Sequence, residues 1–411
     1  MSRSESRQLS RRSLIAAAPA LAAARASAQT APAAPLRIAV LADMSGPYAD
    51  NTGPGLVQAV RMAVEDVGGQ VLGRPIRLEF ADDQNKPDVG VGIARRWLDD
   101  EGVQAIIGGS ASSITLAVAD LARARGRILL IAASGSTDLT GRACSPVSFQ
   151  FGFDTYSLPK AVVGSAIRSG LQSWYILNVD YAFGHSLRRD AAALIEQAGG
   201  RILGSTGFPL NTADFSSYLL QAQSSRAQAV ALATGGADWT NLIKQAHEFG
   251  LARGRQTLVS LATGFNEVQA AGLNVASGML LATTFYWDRT EATRRFAQRF
   301  MQRHRGMAPN SHQAAGYAGT LHYLKAVQAA GTIEGPAVAE AMRRLRVSDF
   351  DVEDVPIRAD GQVMRPMYLA RVKTPEASRD RNDILEILET IPGEAAWRPA
   401  AESACPLLRA S

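Results

Sequence analysis

Few residues of the 411-residue sequence have the types and spacing that catalysis or metal binding needs. The segment Gly184-His185-Ser186-Leu187-Arg188 begins like the nucleophile elbow of hydrolases, but an arginine stands where the elbow has its closing glycine. His247-Glu248 lacks a second histidine at the spacing of a zinc protease. The five histidines and two cysteines show no metal-ligand spacing. The sequence therefore predicts a protein that is not an enzyme and that has no metal site and no cofactor.

Short apolar segments alternate with longer amphipathic ones along most of the chain. Strand-like segments occur near residues 37–44, 76–81, 105–109, 128–134, 174–180, 202–208, 229–234, 258–263 and 278–285. Their Ile, Val, Leu and Ala content is typical of parallel strands covered by helices on both faces. This alternation predicts an α/β fold with doubly wound sheets, in which ligands bind at the carboxyl ends of the strands.

The first 28 residues have the parts of a cleavable export signal. Arg11 and Arg12 precede an apolar segment, residues 14–24, that is too short to span a bilayer, and Ala26-Ser27-Ala28 follows as a cleavage site. The paired arginines favour the twin-arginine route; the alternative is an alanine-rich extension. Cleavage after Ala28 would leave 383 residues (411 − 28) and lower the formal charge from +5 to +1, because the leader carries +4. The basic pI is therefore no argument for nucleic-acid binding, and the mature protein is expected in the periplasm.

Cys144 and Cys405 are the two cysteines of the sequence. An isolated pair in an oxidising compartment often forms a disulfide. Here a disulfide would tie the C-terminal tail, residues 375–411, to the region near Cys144. The sequence leaves open whether the two Cα atoms come within the roughly 7 Å that a disulfide needs.

Several short motifs together resemble the leucine/isoleucine/valine-binding protein family. In order along residues 36–371 they are Met44-Ser45-Gly46-Pro47-Tyr48-Ala49, residues 68–76, Ala81-Asp82-Asp83, residues 107–113, residues 131–137 and Asp180-Tyr181-Ala182-Phe183-Gly184. Each motif is weak alone, and their order and spacing carry the resemblance. It implies a type I periplasmic-binding fold, in which two Rossmann-like lobes joined by three crossovers close on a ligand.

The resemblance also implies how the chain divides. We expect lobe one at residues 36–152 plus 286–350, and lobe two at residues 153–285 plus 351–374. The three crossovers are expected near residues 151–154, 284–287 and 350–353. The tail, residues 375–411, falls outside the core pattern.

In that family, serine hydroxyls and backbone N–H groups of lobe one hold the carboxylate of the ligand. An anion suits such a site because a helix N-terminus carries partial positive charge. By position, Ser112 is the expected hydroxyl donor, and Ala133 and Gly135 are expected to supply backbone contacts. The alternative role for Ser112 and Ser113 is to cap the helix that follows.

The sequence departs from the family pattern at two places. The family often has threonine where Gly135 stands, so Ser134 or Ser136 would have to supply the missing hydroxyl. Amino-acid binders of the family also use a lobe-two glutamate to meet the ligand's ammonium, and residues 261–264 at the matching strand end contain no acid. Asp238 is a candidate substitute from the neighbouring loop, although the favoured interpretation is that it caps the helix that starts near Thr240. The ligand is therefore left open between an amino acid and an aromatic or aliphatic acid without an amine.

Aromatic residues near the expected cleft are candidates for the pocket walls, because such residues supply apolar surface and a few hydroxyls. The alternative is that they form ordinary inter-lobe core. The candidates are Tyr48, Tyr156, Tyr181, Phe183, Phe285 and Trp287.

These features lead to the hypothesis of a monomeric solute-binding component of an ABC importer, with a small-molecule ligand and an inner-membrane permease as partners. A sensory module that feeds a membrane receptor would share the fold and the site, and stays as the alternative. Repressors of the lactose type also share the fold. They need an N-terminal DNA-binding helix pair, and an export signal occupies that place here. No nucleic-acid partner is expected.

Overall fold

The computed structural model describes residues 34–251 and 254–409. The predicted export signal and its cleavage site after Ala28 lie outside these residues. Within the two described ranges, no helix has both the length and the apolar character needed to cross a membrane.

Lobe one is built on a six-stranded sheet. Its strands are β1 (Leu36–Ala42), β2 (Gln70–Val71), β3 (Arg74–Asp82), β4 (Ala105–Gly108), β5 (Ile128–Ile131) and β6 (Ser148–Gln150). They lie in the order β2-β3-β1-β4-β5-β6, and all neighbours except β2 and β3 are parallel. Strands β1, β4 and β5 are almost completely buried, because helices cover both faces of this sheet.

Six helices belong to lobe one. They are α1 (Gly53–Asp66), α2 (Pro87–Asp99) and α3 (Ser112–Ala124) from the first half of the chain, and α10 (Glu291–Met301), α11 (Ser311–Ala330) and α12 (Gly335–Arg344) from the second. One of them, α10, packs on other helices rather than on the sheet. Helix α11 begins where the Asn310 side chain accepts from the N–H groups of His312 and Gln313, and it ends at Gly331 in the left-handed region, with φ 66°. This capping fixes the first turn of α11 beside the cleft.

Lobe two is built on a four-stranded parallel sheet in the order β10-β9-β7-β8. The strands are β7 (Ser173–Val179), β8 (Arg201–Phe208), β9 (Ala229–Ala233) and β10 (Thr257–Ser260). The helices are α4 (Ser157–Arg168), α5 (Ala182–Gln197), α6 (Ser216–Ser224), α7 (Gly236–Glu248), α8 (Phe265–Ala271) and α9 (Leu273–Ala276). Two parallel sheets with helices on both faces confirm the predicted doubly wound fold.

A third, antiparallel sheet extends the core of lobe two and includes the tail. Its strands are β11 (Leu280–Thr283), β12 (Met367–Val372) and β13 (Leu385–Ile391). After β13 the chain forms the short helix α13 (Gly393–Ala396), and Trp397 is buried in the lobe-two core with its indole N–H donating to the Arg365 carbonyl at 2.7 Å. The tail, which lay outside the sequence pattern, is thus anchored to lobe two.

Residues 352–363 pack on lobe one, and a disulfide ties the tail to the same lobe. Val352, Val355 and Val363 pack into the core of lobe one, although the sequence analysis assigned this stretch to lobe two. The reason is a short parallel bridge between Gln150 at the sheet edge and Gln362, which holds the segment on lobe one. Cys144 of lobe one and Cys405 of the tail form a disulfide, with a Cα–Cα distance of 5.7 Å.

Candidate functional site

A small cavity of about 50 Å³ lies between the two lobes. Its walls come from the loops after β1, β4 and β5 of lobe one and from the loops after β7, β9 and β10 of lobe two. These are the carboxyl ends of parallel strands, where doubly wound sheets bind ligands. Among the described residues that line the cavity, none is a lysine or an arginine.

Four residues that the sequence pointed to lie on the cavity wall. Tyr48 and Ala133 contribute from lobe one, and Tyr181 and Phe183 from lobe two. The hydroxyl oxygens of Tyr48 and Tyr181 lie 2.7 Å apart, so these two side chains form a hydrogen bond across the cleft. Burial raises the pKa of both hydroxyls well above the usual range for tyrosine, so both stay neutral.

The serine candidates lie one layer behind the wall. The Ser112 hydroxyl accepts from the Ser136 backbone N–H at 3.2 Å, which joins the two ligand loops of lobe one. The Ser134 hydroxyl donates to the Gly109 carbonyl at 2.8 Å, and Ser113 is half-buried at the start of α3. The serines that do line the cavity are Ser110, whose hydroxyl accepts from the Asp43 N–H at 2.7 Å, and Ser311 at the start of α11.

Gly135 is required by the aromatic wall next to it. A Cβ atom at this position would lie 2.6 Å from Cε2 of Phe153 and 3.0 Å from Cε2 of Phe183. Both rings line the cavity, so a threonine here would displace them. The sequence therefore lacks the threonine hydroxyl at position 135 because the rings of Phe153 and Phe183, which line the cavity, occupy the space that its side chain would need.

Four other candidates do not line the cavity. The ring of Tyr156 lies under the guanidinium of Arg398, at 4.4 Å, and Phe285 packs in an aromatic cluster with Phe350. The Trp287 indole donates to a backbone carbonyl of the tail. Asp238 is buried and accepts from the Asn211 N–H at 3.0 Å, and burial raises its pKa to about 6. Asp238 therefore fixes a loop of lobe two.

The acidic residue of the cavity is Glu267, which the sequence analysis missed. Its side chain is 5% exposed and lines the cavity from lobe two. Oε2 accepts from the Gly264 N–H at 3.1 Å, and Oε1 accepts from the Gly236 N–H at 3.0 Å and from the Asn51 amide at 2.7 Å. The side chain folds back over the start of α8, as the third helical residue does in a capping box. The sequence Gly264-Phe265-Asn266-Glu267 carries this signal, with the glutamate three residues after the N-cap Gly264 and seven residues after the end of β10.

His312 and Asn51 of lobe one were also missed. The His312 ring lies 5.2 Å from the ring of Phe153 and lines the cavity, while the Asn51 side chain is 7% exposed on the same wall. Burial lowers the pKa of His312 to about 4, so its imidazole is neutral at pH 7. The cavity therefore holds one carboxylate and no cationic side chain from its lining residues.

The fold and the cleft between the lobes define a two-lobed binding protein that takes a small ligand between its lobes. The chain belongs to the periplasmic binding protein family, whose model matches residues 35–380. The resemblance seen in the sequence is therefore confirmed, together with the type I periplasmic-binding fold. Members of this family bind solutes and are not enzymes.

Two solved structures resemble the chain over nearly its whole length. A periplasmic binding protein from Burkholderia mallei is 38% identical, with a TM-score of 0.89 over 91% of this chain and 99% of that one. A branched-chain amino acid ABC transporter periplasmic ligand-binding protein from Burkholderia xenovorans is also 38% identical, with a TM-score of 0.81 over 91% and 100%. The leucine-specific-binding protein of Salmonella typhimurium is 24% identical over 66% of this chain and 73% of its own length. The chain is thus a periplasmic solute-binding protein of the branched-chain amino acid ABC-transporter type.

Proposed function

We propose that the protein captures a free amino acid between its lobes and delivers it to an inner-membrane ABC permease. The observation that carries this proposal is the Glu267 carboxylate, buried in a cavity that no lysine or arginine lines. A buried carboxylate without a counter-charge is costly, and the ammonium group of an amino acid supplies that charge. The three protein donors to Glu267 are neutral, so they orient the carboxylate and leave its charge for the ligand.

The opposite side of the cavity suits the ligand's carboxylate. Helix α3 begins at Ser112, behind the lining residues Ser110 and Ala133, and the first-turn N–H groups of a helix attract an anion. Ser112, Ser113, Ser134 and Gly135 act in this proposal by holding the two loops in place. Between the charged ends, Phe153, Leu158 and Phe183 offer apolar surface to a side chain.

A ligand that has a carboxylate but no amine fits this cavity less well. It would leave Glu267 without a cationic partner and would add a second negative charge to a closed space. The presence of Glu267 therefore favours an amino acid over an aromatic or aliphatic acid.

A thermal-shift screen of the twenty common amino acids tests the proposal. The decisive pair is L-leucine and 4-methylpentanoate, which has the same carbon skeleton without the amine. We expect amino acids alone to raise the melting temperature, because a ligand of the folded state stabilises it by mass action. Equal stabilisation by 4-methylpentanoate would contradict the proposal.

The variant Glu267→Gln tests the role of the carboxylate by calorimetry. We expect affinity for the best amino acid to fall by roughly 30-fold or more, since one partner of a buried charge pair is removed. The control is Glu196→Gln on the exposed side of α5, which should leave the affinity unchanged. Wild-type affinity in Glu267→Gln would refute the assignment.

We also propose that the protein is exported to the periplasm and delivers its ligand as a monomer. The leader of residues 1–28, with Arg11 and Arg12, is proposed to direct export by the twin-arginine route. N-terminal sequencing of protein from the periplasmic fraction should begin at Gln29. A different first residue would disprove the cleavage site.

A further inference from the structure

Asn51 joins the two lobes at the carboxylate of Glu267. It lies in lobe one, between β1 and α1, and its side-chain amide donates to Oε1 of Glu267 at 2.7 Å. Both side chains are at least nine-tenths buried and line the cavity. The hydrogen bond therefore crosses the cleft at the group that is proposed to receive the ligand's ammonium.

The three donors to Glu267 differ in the lobe to which they belong. The N–H groups of Gly236 and Gly264 are in lobe two, like Glu267 itself, and stay with it when the lobes separate. The Asn51 amide is in lobe one, so this bond forms only when the lobes close. A carboxylate has about four acceptor positions, and the three donors leave one for the ligand.

Lobe one holds Asn51 in place from behind. The Asn51 carbonyl accepts from the side-chain amide of Asn310 at 2.9 Å, while the other atom of that amide, the oxygen, caps α11. The position of Asn51 is thus tied to the helix whose first turn also presents His312 to the cavity. Lobe closure brings this whole group to Glu267 as a unit.

We propose that Asn51 is a positioning residue that completes the hydrogen bonds of Glu267 on lobe closure, so that closure and ammonium binding stabilise each other. The proposal rests on the proposed function, because it requires Glu267 to receive an amine. In this proposal Asn51 sets the dissociation rate of the bound amino acid. The association rate depends on the open state, in which Glu267 still accepts from the N–H groups of Gly236 and Gly264.

The variant Asn51→Leu removes the amide and keeps the size of the side chain. With L-leucine, or the amino acid that ranks above it in the screen, stopped-flow measurements should show dissociation about tenfold faster and association changed less than about twofold. The matched control is Asn266→Leu. Its amide also crosses the cleft, but it donates to the Asp50 carbonyl and not to Glu267. Equal dissociation rates for the two leucine variants would overturn the proposal.

A double variant that exchanges the two side-chain types tests whether Asn51 acts through its hydrogen bond to Glu267 or through packing alone. The double variant Asn51→Asp/Glu267→Gln moves the carboxylate to the facing side of the same hydrogen bond. We expect it to bind the amino acid about tenfold more tightly than Glu267→Gln alone. No recovery in the double variant, with a native circular dichroism melt, would count against the proposal. Wild-type affinity in Glu267→Gln would instead refute the proposed function, while the two leucine variants would still report on closure.

Discussion

The two ends of the interface between the lobes are held together by different chemistry. At the cavity end, single hydrogen bonds cross from lobe to lobe, such as those of Tyr48 with Tyr181 and of Asn51 with Glu267. At the other end, which we call the tail end, the C-terminal tail runs from lobe two to lobe one and finishes in the disulfide of Cys405. One end has contacts that water can replace, and the other has a covalent bond.

Asp190 organises the tail end. Its Oδ2 accepts from the hydroxyls of Thr137 and Thr155, both at 2.7 Å, and its Oδ1 accepts from the guanidinium of Arg398 at 2.8 Å. Thr137 belongs to lobe one, Asp190 to lobe two and Arg398 to the tail. A buried carboxylate with charge-assisted partners is costly to expose, so this group resists separation.

The difference between the cavity end and the tail end of the interface indicates where the lobes separate. The cavity end exchanges single hydrogen bonds for water at a net cost of about 1–3 kcal/mol each, the larger value for the bond to the Glu267 carboxylate. At the tail end, opening would break the hydrogen bond from the Thr137 hydroxyl of lobe one to the buried carboxylate of Asp190, and the disulfide limits the movement. The lobes should therefore part at the cavity and pivot near Asp190.

The largest expected effect comes from breaking the tail end. The variant Cys144→Ser/Cys405→Ser removes a bond between residues that are 261 positions apart. Its free energy of unfolding, measured in urea without reductant, should be lower by about 2–4 kcal/mol. Wild-type protein treated with a thiol serves as the control and should match the variant. A loss below about 0.5 kcal/mol would mean that the tail end depends on non-covalent contacts.

A second test compares the pH dependence of the two ends. At the tail end, burial raises the pKa of Asp154 to about 6, so the folded protein keeps a proton that the unfolded chain releases near pH 4. Stability from this group falls as the pH rises from about 4 to 6. At the cavity end, burial lowers the pKa of His312 to about 4, while an unfolded histidine takes up its proton near pH 6.5. Stability from this group falls as the pH drops from about 6.5 to 4.

Urea denaturation of the variants Asp154→Asn and His312→Phe between pH 4 and 7 measures the opposite pH dependence of stability at the two ends. Relative to wild type, Asp154→Asn should gain stability as the pH rises, because the asparagine side-chain oxygen still accepts from the Ser157 N–H and no longer titrates. His312→Phe should gain stability as the pH falls. The change across each window should be about 1–3 kcal/mol. If the stability difference from wild type changed in the same direction with pH for both variants, the opposite pKa shifts of Asp154 and His312 would be contradicted.

The smallest expected effect is at the pair of tyrosines. Tyr48→Phe and Tyr181→Phe each remove one hydroxyl of the bond that crosses the cleft. Each should weaken amino-acid binding by about 0.5–1.5 kcal/mol, and the double variant should lose little more than either single one. Calorimetry of the four proteins gives the coupling energy. Additive losses would show that the two hydroxyls act separately.

Much of the fold could be predicted because parallel strands are marked by apolar composition. The predicted segment at residues 105–109 is strand β4, Ala105–Gly108, and the segment at residues 128–134 contains β5. Strand β13 could not be found in this way. Its burial alternates only weakly, and its pairing with β12 depends on a turn that the sequence pattern does not mark. The assignment of residues 352–363 to lobe two failed for a similar reason, since a distant bridge holds them.

The site was predicted in part. Ala133, Tyr48, Tyr181 and Phe183 belong to the motifs that carry the family resemblance, and all four line the cavity. Glu267 and His312 were missed because they belong to none of these motifs and lie in the capped first turns of helices. A capping pattern by itself does not mark a binding site, because most capping boxes serve only to cap the helix.

The disulfide turns most of the polypeptide into a ring. The ring runs from Cys144 to Cys405 and contains all of lobe two together with helices α10, α11 and α12 of lobe one. A single proteolytic cut anywhere between these residues leaves both fragments linked through sulfur. Electrophoresis would therefore show a nicked protein as one full-length band until a thiol is added.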